Sequence, residues 1–178
     1  HDEDQPFDLC LVSETHGKPN GRQPECFPLW SPDPESARPG PAKYGVGLFA
    51  ENGRAFRYRI IREHAGRVLW FALDEQLLIC AAYLPPATPD EEVMEWLTPP
   101  VNEARSMPIL LGGDLNARLG PATGDDFNPR GRWLPSFLEA LGLTRVPLQS
   151  QGATFMSSAG HRSIVDHIFT SLPVGSVS

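Results

Sequence analysis

Ile109-Leu110-Leu111-Gly112-Gly113-Asp114-Leu115-Asn116 is the stretch on which the reading of this chain turns. An apolar run of this length reads as a buried strand. Two glycines then break it and present Asp114 and Asn116 on one side, two residues apart. On its own this is also what an Asx turn looks like. Two further stretches raise its meaning. Leu9-Cys10-Leu11-Val12 leads directly into Ser13-Glu14, and Asp166 stands inside the otherwise apolar Ser163-Ile164-Val165-Asp166-His167-Ile168-Phe169, where an unpaired carboxylate is costly. Three acids at three strand ends converge on one rim. Such a cluster repels itself unless a cation or a protonated partner sits among the carboxylates, and a hard divalent cation with oxygen ligands is the natural occupant.

Working outward, strand character is found at Phe7 to Val12, Tyr44 to Phe49, Phe56 to Ile61, Val68 to Leu73, Leu77 to Tyr83, Met107 to Leu111 and Ile164 to Phe169. Asn52-Gly53, Ala65-Gly66 and Asp74-Glu75 separate the runs between 44 and 83 at hairpin distances, which predicts an antiparallel meander. A first helix is expected from Thr88, with Pro89 at its first position and Glu91 as a capping-box glutamate, closed by Pro99-Pro100. A second is expected over about Arg132 to Leu141, with Trp133, Phe137, Leu138 and Leu141 as its stripe and Gly142 as its stop. The expected class is α/β (α+β), one domain over 1–178, with two mostly antiparallel sheets packed face to face and flanked by helices.

The chain has 178 residues, 40% of them hydrophobic, enough for a single core. Its apolar runs are far shorter than a membrane span requires. No cleavable signal is visible, and Cys10, Cys26 and Cys80 read as reduced thiols, so an intracellular protein is expected. Asp+Glu 22 against Lys+Arg 15 gives a net charge of -7, which argues against an electrostatic grip on nucleic acid by the surface as a whole. Positive charge is nevertheless local. Arg54, Arg57, Arg59, Arg62 and Arg67 cluster in the hairpin region, the 57/59 pair reading as a solvated strand face. Pro24 to Pro41 reads as a long surface loop.

Taken in order, Val12-Ser13-Glu14-Thr15, Tyr44-Gly45-Val46-Gly47-Leu48, Ala82-Tyr83-Leu84-Pro85-Pro86, Gly113-Asp114-Leu115-Asn116-Ala117 and Ser163-Ile164-Val165-Asp166-His167-Ile168 resemble the motifs of the endonuclease/exonuclease/phosphatase superfamily, the DNase I-like fold. Glu14-Thr15-His16, Tyr83-x-Pro85-Pro86, the run Asp114 to Arg118 and Asn128-x-Arg130-Gly131 make the chain most similar to the apurinic-type endonuclease domain of LINE-type non-LTR retrotransposons. The resemblance implies a four-layer α/β sandwich and a magnesium-dependent endonuclease that nicks double-stranded DNA and leaves a 3′-hydroxyl, with manganese as a substitute metal. It also implies a monomeric nuclear protein joined to a reverse transcriptase in a longer polypeptide. Glu14 would hold the metal, Asp114 would deprotonate the attacking water, and Asn116 would contact a phosphate oxygen and fix Asp114. Tyr83 would donate its phenol to the charge developing on phosphorus. Asp166 would accept the imidazole proton of a catalytic histidine, and Ser163, Thr154, Arg118 and Arg130 would contact the substrate.

Two features of the family pattern are not met. A first strand carrying an asparagine would precede the Glu14 motif, and a last strand carrying Ser-Asp-His would follow residue 178; on this reading the outermost strands are lacking and catalysis is weak. His167 does not replace that histidine, since it neighbours Asp166 on the same strand. A small-molecule or lipid phosphoesterase of the same fold and a catalytically inactive binding module are the alternatives.

Overall fold

A computed structural model describes residues 9–13, 29–31, 45–50, 56–147, 153–156, 160 and 162–174. Glu14, Cys26 and the Asn52-Gly53 turn lie outside these residues; of the expected Pro24 to Pro41 surface loop, residues 29–31 are described, and they form a strand with Leu29 and Ser31 buried, so this part is not surface loop. The strands are β1 (Leu9–Ser13), β2 (Leu29–Ser31), β3 (Val46–Ala50), β4 (Tyr58–His64), β5 (Val68–Leu73), β6 (Leu77–Tyr83), β7 (Ile109–Asp114), β8 (Thr144–Arg145), β9 (Phe155–Met156), β10 (Arg162–Ser163) and β11 (Asp166–Thr170). The helices are α1 (Asp90–Leu97), α2 (Val101–Ala104) and α3 (Pro129–Ala140).

The main sheet has the order β4-β5-β6-β7-β11-β8, and a smaller one the order β1-β3-β2. From β4 to β6 it is the expected meander, turning through Gly66 and through Asp74 and Glu75, both at positive φ (51° and 53°) as a tight hairpin turn requires. The β6 to β7 step is parallel, so the chain crosses over through α1 and α2 between them. Every residue of β5 is buried, as expected of a strand covered on both faces.

The two faces of the main sheet carry separate cores. Leu69, Phe71, Ile79, Ala81 and Tyr83 point toward the small sheet, packing with Leu29, Val46 and Leu48. Trp70, Leu78, Cys80, Leu111 and Phe169 point the other way, onto Val93 and Leu97 of α1 and Leu134 and Leu138 of α3. Three layers are thus visible among the described residues: small sheet, main sheet, helices.

Both helices start differently from expectation. Thr88 is not the cap of α1; Pro89 occupies that position and no side chain caps the helix. Asp90, Glu91 and Glu92 in its first turn complement the helix dipole instead. Helix α3 begins at Pro129, three residues before the expected start, because the Asn128 side chain accepts the Gly131 N–H at 2.8 Å and Pro129 fits the first turn. His64 stacks on Trp96 with ring centroids 5.6 Å apart.

Candidate active site

Register fixes the centre of the site. Tyr83 pairs with Asp114 across β6 and β7, and Asp114 pairs with Asp166 across β7 and β11. Side chains opposite one another in neighbouring strands share a face. Tyr83, Asp114 and Asp166 therefore form one row across three strands, on the face that looks toward the small sheet. The strands are drawn together there by Gly113. Its φ is +133°, and a Cβ would stand 2.0 Å from the Ala82 carbonyl oxygen, so only glycine lets β7 lie this close to β6.

Tyr83 is buried at 5% exposure, with the Arg67 guanidinium 5.8 Å from its ring centroid. Asp114 receives the Asn116 N–H on Oδ1 at 2.9 Å, the Asx turn anticipated from the sequence, and Asn116 itself sits at φ 47°. Thr154 holds the start of β11: its hydroxyl oxygen accepts the N–H groups of Val165 (3.0 Å) and Asp166 (3.2 Å). Its own N–H goes to the Ser163 carbonyl. Arg118, Arg162 and Ser163 line an open cleft beside this end of the sheet, together with Asp125, Asp126 and Phe127.

Arg130 does not join them. It is 5% exposed, and its guanidinium donates to the carbonyls of Leu84 (2.8 Å), Leu115 (3.1 Å), Pro85 (2.8 Å) and Thr88 (3.3 Å). Burial pulls its pKa below the ordinary guanidinium value, while Asp90 and then Asp114 favour the charged form. A guanidinium committed to four carbonyls inside the protein cannot also present its fork to a DNA phosphate, so the expected substrate contact becomes an internal tie. The expected solvated face at Arg57 and Arg59 is tied down at its second member: Arg59 makes a two-pronged bond to Glu75 at 2.8 Å and pairs with Glu103.

The residues that support the row were harder to foresee. Asn128, quoted only as part of a motif, is the cap of α3 and donates from Nδ2 to the Asn116 carbonyl at 2.8 Å. Asparagine followed by proline ahead of an apolar stripe was the available signal. His167 is 1% exposed and faces away from Asp166, with Nε2 2.7 Å from the Ala117 carbonyl oxygen. Burial lowers its pKa and Arg145 adds to this, while the Ala117 carbonyl and Asp166 oppose it. A neutral ring donating from Nε2 follows.

As for a metal, the side chains along the row offer only oxygen donors, the chemistry a hard cation prefers. No group of three acidic, histidine or cysteine side chains comes together among the described residues. Glu14, the expected metal ligand, follows β1 directly in sequence and lies outside the described residues.

The endonuclease-reverse transcriptase family matches residues 77–177. No curated protein matches the chain. Among solved structures, the endonuclease domain of TRAS1, a telomere-specific non-LTR retrotransposon, superposes with a TM-score of 0.56 at 17% identity, over 90% of this chain and 64% of that one. The 3′ phosphatase NExo from Neisseria, solved with a product DNA hairpin, superposes with a TM-score of 0.61 at 15% identity, over 94% of this chain and 77% of that one. The chain thus spans less than two-thirds of the length of the TRAS1 domain. The fold is DNase I-like, and the chain belongs to the endonuclease-reverse transcriptase family.

Proposed function

We propose that the chain is the endonuclease part of a retroelement protein and hydrolyses a phosphodiester bond of double-stranded DNA by water attack on phosphorus, leaving a 3′-hydroxyl. The observation that carries this reading is the register that puts Tyr83, Asp114 and Asp166 in one row. Asp114 takes the proton of the attacking water, a role open to a carboxylate whose orientation is already set, and the Asn116 N–H on Oδ1 sets it. Asn116 and Tyr83 donate to the phosphate oxygens as charge grows on them. Asp166, anchored through Thr154, orients a protonated group at the far end of the row. Magnesium, or manganese in its place, when bound by Glu14 beside the Asp114 and Asp166 carboxylates, would supply charge neutralisation at phosphorus and the leaving oxygen. Arg118, Arg162 and Ser163 would give the adjoining cleft individual phosphate contacts; Asp125 and Asp126 share its lining, so these are separate arginine forks and not a net positive track.

In the same reading the chain works as a monomer joined to a reverse transcriptase in a longer nuclear polypeptide. No described helix is long and apolar enough to cross a membrane.

Supercoiled plasmid incubated with the 178-residue chain and magnesium tests the proposal. The expected product is a nicked circle that DNA polymerase extends without prior phosphatase treatment. Intact plasmid together with hydrolysis of small phosphate esters would overturn it in favour of a small-molecule phosphoesterase.

A further inference from the structure

Residues 115–119 are neither helix nor strand, yet Leu115, Ala117 and Leu119 are almost wholly buried. An irregular segment in the interior is stable only if its backbone polar groups find partners. Here the partners are supplied from three directions. The Leu115 carbonyl accepts from Arg130, the Asn116 carbonyl from Nδ2 of Asn128 and the Ala117 carbonyl from Nε2 of His167. The next carbonyl, of Arg118, lies against Gly131, where a Cβ would come within 1.8 Å of it. On the donor side, the Arg118 N–H goes to Oδ1 of Asn128 at 3.0 Å. The Arg130 guanidinium also reaches the carbonyl of Leu84, the residue after Tyr83.

We propose that Asn128, Arg130 and His167 are positioning residues. They grip residues 115–117 by three consecutive carbonyls and so hold Asn116 in its left-handed conformation beside Asp114, while Arg130 ties the same loop to the segment leaving Tyr83. The inference rests on the phosphodiesterase reading for its catalytic meaning, and on hydrogen bonds alone for its structural content. It also explains the Asn128-x-Arg130-Gly131 run: asparagine caps the helix and grips the loop, arginine joins two strand ends, and glycine admits the Arg118 carbonyl.

Asn128→Asp separates gripping from folding. The aspartate keeps the oxygen that caps α3 and receives the Arg118 N–H, and replaces the donor to the Asn116 carbonyl by a carboxylate oxygen that repels it. The expected result in plasmid nicking is a kcat about tenfold to a hundredfold lower, since small misplacements of a reacting group cost this much, with KM within about twofold of wild type. The melting temperature should stay near wild type, with faster amide hydrogen exchange confined to 115–118. His167→Gln, which keeps a donor, should retain more activity than His167→Leu. Wild-type kcat and exchange in Asn128→Asp would overturn the proposal, as would a loss of kcat accompanied by raised exchange throughout the chain. If the wild-type chain fails to nick, the phosphodiesterase reading falls. Exchange then decides the grip by itself: a local rise at 115–118 upholds it and unchanged protection overturns it.

Discussion

The loop at 115–119 and the β9–β10 hairpin both border the carboxylate row, and they are built in opposite ways. In the loop almost every backbone group points at a partner on α3, β11 or the following turn, and its apolar side chains are buried. In the hairpin two residues of each strand pair, and Phe155 and Met156 stand 50% and 66% exposed. Among the described residues, the Thr154 hydroxyl under Val165 and Asp166 joins the hairpin region to the site. Such a contrast separates two demands on an enzyme. Groups that must meet a reacting phosphate within a fraction of an ångström need a frame that does not move. A surface that meets substrate away from the reacting atoms has no such need.

The largest effect that sharpens this contrast belongs to the row. Asp114→Asn keeps an oxygen for the Asn116 N–H, so the fold should persist while nicking falls about a thousandfold, within the range ascribed to a lost general base; plasmid nicking and a melting curve together check this. Next comes the frame. Arg130→Leu takes the guanidinium from four carbonyls, of which that of Pro85 keeps another donor, the Thr88 N–H, and urea unfolding should show a loss of about 3 kcal/mol or more, given the cost of leaving buried acceptors unpaired. An unchanged unfolding curve with weaker, less salt-dependent DNA binding would instead return Arg130 to the substrate.

A smaller effect is expected from pH. His167 and His64 both have pKa values lowered from 6.5 in the folded chain, in each case chiefly by burial. The unfolded chain then binds protons that the folded one refuses, so stability is intact above about pH 6.5 and is lost as pH falls below it. Unfolding free energies measured from pH 7.5 to 5 should show this slope, and His167→Gln should flatten part of it. The smallest effect belongs to the hairpin: Phe155→Ser should leave stability within about 0.5 kcal/mol, the usual scale for exposed positions. Its consequence should appear in KM with kcat unchanged; a fall in kcat would make the hairpin part of the rigid frame.

Much of the frame was legible because it follows from local rules. The runs at 68–73 and 77–83 became β5 and β6 with the same bounds, and Asp74-Glu75 became the turn between them. Gly112-Gly113-Asp114 was visible as a strand exit, and Asp114 pairs with Asp166. What remained hidden depends on distant partners. Arg130 looks like a loop arginine in sequence; its burial follows from four carbonyls on segments up to 46 residues away, which no local pattern reveals. His167 likewise lies next to Asp166 in sequence but alternates to the opposite face of β11, toward Ala117. Helix α3 starts ahead of its apolar stripe because the Asn128 cap and Pro129, not the stripe, set its first turn.

The claim that Tyr83, Asp114 and Asp166 act as one chemical unit is tested most directly by a double-mutant cycle on nicking rate with Asp114→Asn, Asp166→Asn and the pair. Groups that serve a single step lose most of their effect together, so the double variant should be no more than about threefold slower than the worse single one. Losses that multiply would contradict the account, leaving two independent carboxylates that register alone has placed side by side.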